Sequence, residues 1–218
     1  MMKILHSSLS FLISIFFVNL SGQAIDLEAN ALLKEVSDKI SNFESIEITF
    51  DYSIINDTQD LQQHTYGKIV VKNDMFSLDI FGIRQIFDGE KLYTISNEDK
   101  EVTVSKQQAD EFNYFSPNSL INSLKKSYLC KMDIIQKQSG SIVQYIKFFP
   151  VDSNSEIKYI LVGVDNKTKI INNLALLDEN KIKTVIKIKE FNTNKSFPKS
   201  YFNFEKSKYK GFYINNLD

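Results

Sequence analysis

Few residues in this chain could do covalent chemistry, and they are scattered. The sequence holds two histidines, and only His64 lies beyond the first 24 residues. A zinc site draws on several His or Cys ligands, and a Ser-His-Asp relay needs a histidine oriented by a carboxylate. His64 stands beside Gln62 and Gln63 where an alternating segment begins, a surface or edge position. The single cysteine, Cys130, can form no internal disulfide and reads as a small buried apolar residue. The 7 glycines are not clustered, so no phosphate-cradling loop is present. The carboxylate pairs Glu98-Asp99 and Asp110-Glu111 lie in polar stretches that read as solvated turns. Arg84 is the only arginine: either an anchor for a headgroup or partner carboxylate, or an ordinary hairpin surface residue. Sequons at Asn56, Asn166 and Asn194 are expected by chance in so asparagine-rich a chain. Nothing here assembles a catalytic constellation or asks for a metal or cofactor, so the expectation is that the protein is not an enzyme.

The elements around these residues are mostly strands. Residues 26–43 read as a helix, with Ala29, Leu33, Val36, Ile40 and Phe43 at steps of four and three and Asp26 as a candidate N-cap. The period then changes to two: Ile46, Ile48, Phe50, Tyr52 and Ile54 alternate with Glu47, Thr49, Asp51 and Ser53, a half-buried antiparallel strand. Strands follow at about 64–72, 75–81, 83–88, 91–96 and 99–104, joined by short turns such as Lys72-Asn73-Asp74, so that each strand is expected to pair with the next. Residues 105–128 interrupt them. Ser116-Pro117 reads as cap and first residue of a short helix with Leu120, Ile121, Leu124 and Tyr128 on one face. Strands resume at about 129–137, 141–149, 156–164, 168–177 and 181–190, and Tyr201–Phe204 reads as a last short one. Eleven or twelve consecutive antiparallel strands must curl or close into a barrel. The two helices are then available to cover the concave face.

The N-terminus assigns a compartment. Lys3 gives a positive start, Leu9–Val18 is an almost unbroken apolar run, and Gly22-Gln23-Ala24 offers small residues for a signal peptidase. The run is shorter than the roughly 20 residues that span a bilayer. Residues 1–24 are therefore expected to be a signal peptide and 25–218 a single exported domain, in the periplasm. Without Lys3 the chain carries 25 Lys+Arg against 27 Asp+Glu, a net charge of about −2 with no basic stripe for nucleic acid.

The order of elements resembles the outer-membrane lipoprotein carrier (LolA) family. The likeness is carried by the helix Leu27–Phe43 with strand Ile46–Tyr52, then Gly67-Lys68-Ile69-Val70-Val71-Lys72, Met75-Phe76-Ser77-Leu78-Asp79 and Phe87-Asp88-Gly89-Glu90-Lys91-Leu92-Tyr93. The tail adds Phe202-Asn203-Phe204 and Gly211-Phe212-Tyr213-Ile214. The block 67–93 is the most diagnostic part. The resemblance implies a mainly β, α+β fold: an unclosed antiparallel half-barrel of about eleven strands, with an N-terminal helix and a short central lid helix over an apolar cavity. It also implies a monomer that receives acylated lipoproteins from an inner-membrane lipoprotein-releasing transporter and yields them to an outer-membrane acceptor. Where the family carries a latch arginine after the strand lysine, before a proline, this chain has Asn73 and Asp74. Asn73 can hydrogen-bond a lid but carries no charge.

The expected acyl-chain lining is Leu33, Val36 and Ile40 on the first helix, Ile48, Phe50, Tyr52, Phe76, Leu78, Phe87 and Tyr93 on the sheet, and Leu120, Ile121 and Leu124 on the lid. Plain core packing is the competing account of each. Two other functions compete with a carrier: a periplasmic lipid or lipoprotein sensor built on the same half-barrel, and an unrelated secreted β scaffold.

Overall fold

The computed structural model describes residues 26–56, 58–59, 61–106, 117–138 and 140–217. The expected signal peptide, Ser116 and the Asp110-Glu111 pair lie outside them. Helix α1 (Leu27–Ser41) starts where capping predicts: the Asp26 carboxylate accepts the Ala29 N–H at 2.9 Å. The other Asp26 oxygen accepts the Met132 N–H at 2.9 Å, tying the helix start to a distant strand. Phe43 falls beyond the helix end, where it meets Phe191 edge-on at 6.1 Å.

Six strands follow as a meander: β1 (Ser45–Asn56), β2 (Leu61–Lys72), β3 (Met75–Ile80), β4 (Ile83–Phe87), β5 (Lys91–Ser96) and β6 (Glu101–Lys106). Helix α2 (Pro117–Ser127) then leads into β7 (Tyr128–Gln138), β8 (Ser141–Pro150), β9 (Ile157–Asp165), β10 (Ile171–Asp178) and β11 (Lys183–Thr193). A last strand, β12, is Tyr213–Leu217. All join in one sheet of order β12-β6-β5-β4-β3-β2-β1-β11-β10-β9-β8-β7. The fold is the expected mainly β, unclosed sheet, with twelve strands where about eleven were expected and two α-helices among the described residues.

Three expectations are corrected. Pairing with the next strand holds within β1–β6 and within β7–β11. However, β6 and β7 lie near opposite edges, and β1 pairs with β11 in the middle. Tyr201–Phe204 is no strand: Lys199–Phe202 is a 3₁₀ turn. Its Phe-x-Phe spacing mimics a strand's alternation, but Phe202 is driven inward as a plug, fully buried against Val70, Ile95 and Val102. The true last strand is parallel to β6 rather than antiparallel, Tyr213 beside Glu101 and Leu217 beside Ser105.

The sheet buries both faces, with different partners. On one face α1 and α2 cover a cluster that includes Leu33, Val36, Ile121, Leu124, Phe148 and Val162. On the other, the chain from Phe197 to Phe212 covers β2–β6, with Tyr93 and Phe204 stacked at 4.8 Å. Burial of this apolar surface is the main stabilising term for a fold with no disulfide.

Candidate functional site

Strand register decides which residues share the helix-side face, because directly opposed residues point the same way. On β1 that face carries Ile46, Ile48, Phe50, Tyr52 and Ile54. Ile46 stands opposite Val71, Ile48 opposite Ile69 and Phe50 opposite Gly67. The row continues through Phe76, Phe87 and Leu92. On the other flank Tyr52 opposes Ile186, which opposes Leu174, then Val162, Ile146 and Met132. An unbroken apolar surface therefore crosses the sheet from β5 to β7.

Most of the expected lining falls on this surface. Leu33, Val36 and Ile40 form the buried stripe of α1, and Ile121 (1% exposed) and Leu124 (5%) dock α2 into the same cluster. Ile48 packs against that cluster. Phe76 and Phe87 stack at 5.8 Å in a second cluster, with Leu78 against them. Phe50 lies between the clusters, its ring over Gly67 where any Cβ would collide with it. Tyr52 is half-buried further along the strand and meets Phe81 edge-on at 5.2 Å. The Leu120 side chain lies outside the described ones.

Tyr93 is a correction. Its partner across the hairpin is Ile86, so it points to the opposite face, and the residue beside it, Leu92, takes the helix-side place. There Tyr93 stacks on Phe204 and donates its hydroxyl to Asp88 at 3.1 Å. Burial, with the Asp88 charge beside it, pushes that phenol up to about 12. Sequence reasoning missed Ile69, Val71, Leu92, Ile186, Leu174 and Val162. Ile69, Val71 and Leu92 follow from hairpin register, whereas bringing Ile186, Leu174 and Val162 to the same surface needs the β1–β11 pairing, which no local pattern announces.

The helices do not seal the whole surface. Ile48, Tyr52, Ile54, Leu78, Ile80 and Ile186 are all only half-buried, in a stretch between the two clusters. No charged side chain belongs to the rows named. Charge sits on the other face instead. Glu47, only 8% exposed, is bridged by Lys195 and by Lys68 at 2.6 Å, and these ammonium groups hold its carboxyl below the usual range. The Arg84 guanidinium grips Asp79 in a fork of 2.7 and 3.0 Å, so its charge is matched within its own hairpin.

The remaining candidates are structural. Asn73 occupies the β2–β3 turn with φ 54°, an exposed residue of the left-handed kind asparagine tolerates, and no hydrogen bond joins it to the described residues of α2. His64 is exposed on β2, with Ser53 Oγ at 3.0 Å from its Nδ1. Cys130 packs against the helix-side cluster and burial pushes its thiol up. The Asn56 sequon is closed into a turn, its Oδ1 accepting from Thr58. Among the described residues no group of His, Cys, Asp and Glu could hold a metal, and no helix is long and apolar enough to cross a membrane.

An open groove of about 970 Å³ lies on the helix-free side of β7–β11. Its lining is mixed: Gln138 and Asn173 both donate to the Tyr145 hydroxyl, at 2.7 and 3.0 Å, and Lys183, Lys187 and Lys189 stand among apolar residues such as Leu161, Leu177 and Val185. Those amides and ammonium groups suit a polar ligand. The apolar helix-side surface, although more closely packed, is the better acyl site on chemistry.

Comparison with known proteins agrees with this architecture. A family model described as outer membrane lipoprotein carrier protein LolA matches residues 82–205, more than half of the chain. Of the diagnostic block at 67–93, only 82–93 lies inside that match. A search of the curated proteins finds no match. Among solved structures, an uncharacterized conserved protein from Thermus thermophilus superposes with TM-score 0.60 at 8% identity, covering 87% of this chain and 99% of that one. A LolA superfamily protein from Nitrosomonas europaea gives 0.42 at 7% identity, covering 81% and 97%. LprF from Mycobacterium bovis gives 0.47 at 9%, covering 78% and 96%. Of these three, the Thermus likeness is strong enough to speak for a shared fold.

Proposed function

The chain belongs to the outer membrane lipoprotein carrier protein family, and on that premise we propose that it shelters lipoprotein acyl chains on the helix-side face of its sheet and carries them through the periplasm. It takes them from an inner-membrane releasing transporter, delivers them to an outer-membrane acceptor and performs no catalysis. A single observation carries this proposal: the apolar surface on the helix side extends beyond what α1 and α2 bury.

One long acyl chain exposed to water costs on the order of 10 kcal/mol, at about 0.8 kcal/mol per CH₂. A carrier must offer comparable burial and still release its load. The half-buried Ile48, Tyr52 and Ile54, flanked by Leu78, Ile80 and Ile186, supply a surface of that kind without a charge. Undocking α2 from α1 would enlarge it by exposing the cluster beneath. The helix is 11 residues long, too short to persist in water without its contacts, so its seating on Ile121 and Leu124 is what holds the lid closed.

The test is extraction of the purified protein followed by lipid mass spectrometry, together with transfer of a labelled lipoprotein from inner-membrane vesicles to the protein. Co-purifying acyl chains and one-to-one transfer are expected. A protein that stays lipid-free at every stage of purification, and releases no lipoprotein from vesicles, refutes the proposal.

A further inference from the structure

Most described turns of this sheet are polar. β2–β3 turns on Asn73-Asp74, β4–β5 on Asp88-Gly89-Glu90, β5–β6 on Asn97–Lys100 and β10–β11 on residues 179–182, Glu179, Asn180 and Lys181 among them. The β3–β4 turn is Phe81-Gly82. Ile80 pairs with Ile83, so the loop is two residues long, and both take positive φ, 54° and 75°. Turns with both central φ positive favour Asn-Gly or Asp-Gly, since a bulky side chain is strained there. Phenylalanine in that slot sacrifices stability, and it adds little to the core, because Phe81 is 52% exposed.

Its surroundings mix apolar and polar groups, with the β5–β6 turn beginning at Asn97 beside it. Ile83 and Tyr66 nearby are 39% and 71% exposed. The two charges flanking the turn, Asp79 and Arg84, cancel in their fork. Tyr52, on the apolar helix-side surface, touches the Phe81 ring, so that surface runs on to the tip.

We propose that the β3–β4 hairpin is a membrane-contact tip: Phe81 and Ile83 enter the interfacial layer of a lipid bilayer, and Tyr52 bridges from there to the acyl-binding surface. An acyl chain can then move between bilayer and protein without crossing open water. A bilayer fits better than a protein partner for two reasons. The turn itself offers two apolar side chains, its flanking charges Asp79 and Arg84 are paired with each other, and Tyr52 on one face and Tyr66 on the other are amphipathic rings of the kind that settle at headgroup level. The inference rests on the carrier function proposed above.

The chain has no tryptophan, so Phe81→Trp is a sole reporter. Its emission should shift to the blue on adding phosphatidylethanolamine/phosphatidylglycerol vesicles and equally on adding uncharged phosphatidylcholine vesicles. The shift should survive high salt and be quenched by brominated lipids, while Asn166→Trp in the β9–β10 turn stays unshifted. Phe81→Asn should raise the melting temperature by relieving the turn, yet weaken vesicle partition about tenfold, as expected for loss of a half-exposed ring. A Phe81→Trp emission that ignores vesicles, a shift confined to anionic vesicles at low salt, or unchanged partition of Phe81→Asn overturns the tip. Binding of a soluble acyl probe separates the two proposals. If the wild-type protein binds the probe but Phe81→Trp does not shift, the tip fails and the carrier stands. If the probe is not bound but the shift occurs, the carrier fails, and the bridge through Tyr52 with it, while membrane contact by Phe81 stands.

Discussion

Replacing Leu124 by alanine asks whether α2 is a lid or a fixed part of the core. Leu124 is 5% exposed and shares its cluster with Ile121 and α1. Buried Leu→Ala changes cost about 2–5 kcal/mol. If α2 is a lid, that loss falls on its docking rather than on the sheet, whose twelve strands remain paired. With each 1.4 kcal/mol a factor of ten, the lower half of that range raises the open population of α2 by roughly 30- to 300-fold. Hydrogen exchange should therefore accelerate by that factor at amides 121–127, with β1 and β9 amides little changed. Binding of an acyl probe should tighten, because the opening step has become easier. Leu124→Asp, which places a charge where the probe must pack, should instead weaken binding. Equal acceleration in α2, β8 and β9, with a melting point lowered by the full amount and no gain in probe affinity, would show that α2 is ordinary core and refute the lid mechanism.

Gly67→Ala puts a Cβ into the Phe50 ring and should lower stability by about 1–3 kcal/mol in a denaturant titration, partly restored by Phe50→Leu. Phe202→Ala should cost about 3–5 kcal/mol of folding stability yet leave probe affinity of the folded protein unchanged, since Phe202 lies on the opposite face; a matched loss of affinity would contradict the assignment of faces. The backbone N–H groups of Ala29 and Met132 hold the Asp26 carboxyl below its usual range, and the lysines beside Glu47 do the same there. Their stabilisation is thus present above the unfolded carboxylate range near pH 4 and lost as pH falls through the lowered folded values. Melting temperature should fall on acidification below about pH 4, and less steeply in Asp26→Asn.

How much of this was legible in the sequence depends on the range of the interaction. The Asp26 cap, the α1 stripe and the β1 alternation are local, and the periods of 3.6 and 2 reveal them directly. Hairpin partners such as Phe76 and Phe87 follow from short turns. Tyr93 shows where local reading fails: a motif drew attention to it, but its parity against Phe87 across the β4–β5 hairpin sends it to the other face. Phe202 fails for a related reason, since alternation marks a buried side chain without saying whether a strand stands beside it. The apolar surface itself was half legible. Its β1–β5 part follows from neighbouring hairpins, while its β8–β11 part depends on a contact remote in sequence, Ile46 with Thr193.

That contact has a consequence for how the chain comes to be folded at all. β1 finds its first neighbour, β2, almost as soon as the turn after it emerges, but its second neighbour is the last strand of the antiparallel meander. Until Lys183–Thr193 arrives, one edge of β1 stays unpaired along Ile46 to Ile55, a row of free N–H and C=O groups with isoleucines and a phenylalanine beside them. Pairing this remote in sequence is slow, and an open apolar edge recruits other chains while it waits. The protein is therefore exposed to aggregation for nearly the whole length of its synthesis. A chain ending before residue 183 should collect in the insoluble fraction even though its first six strands are complete.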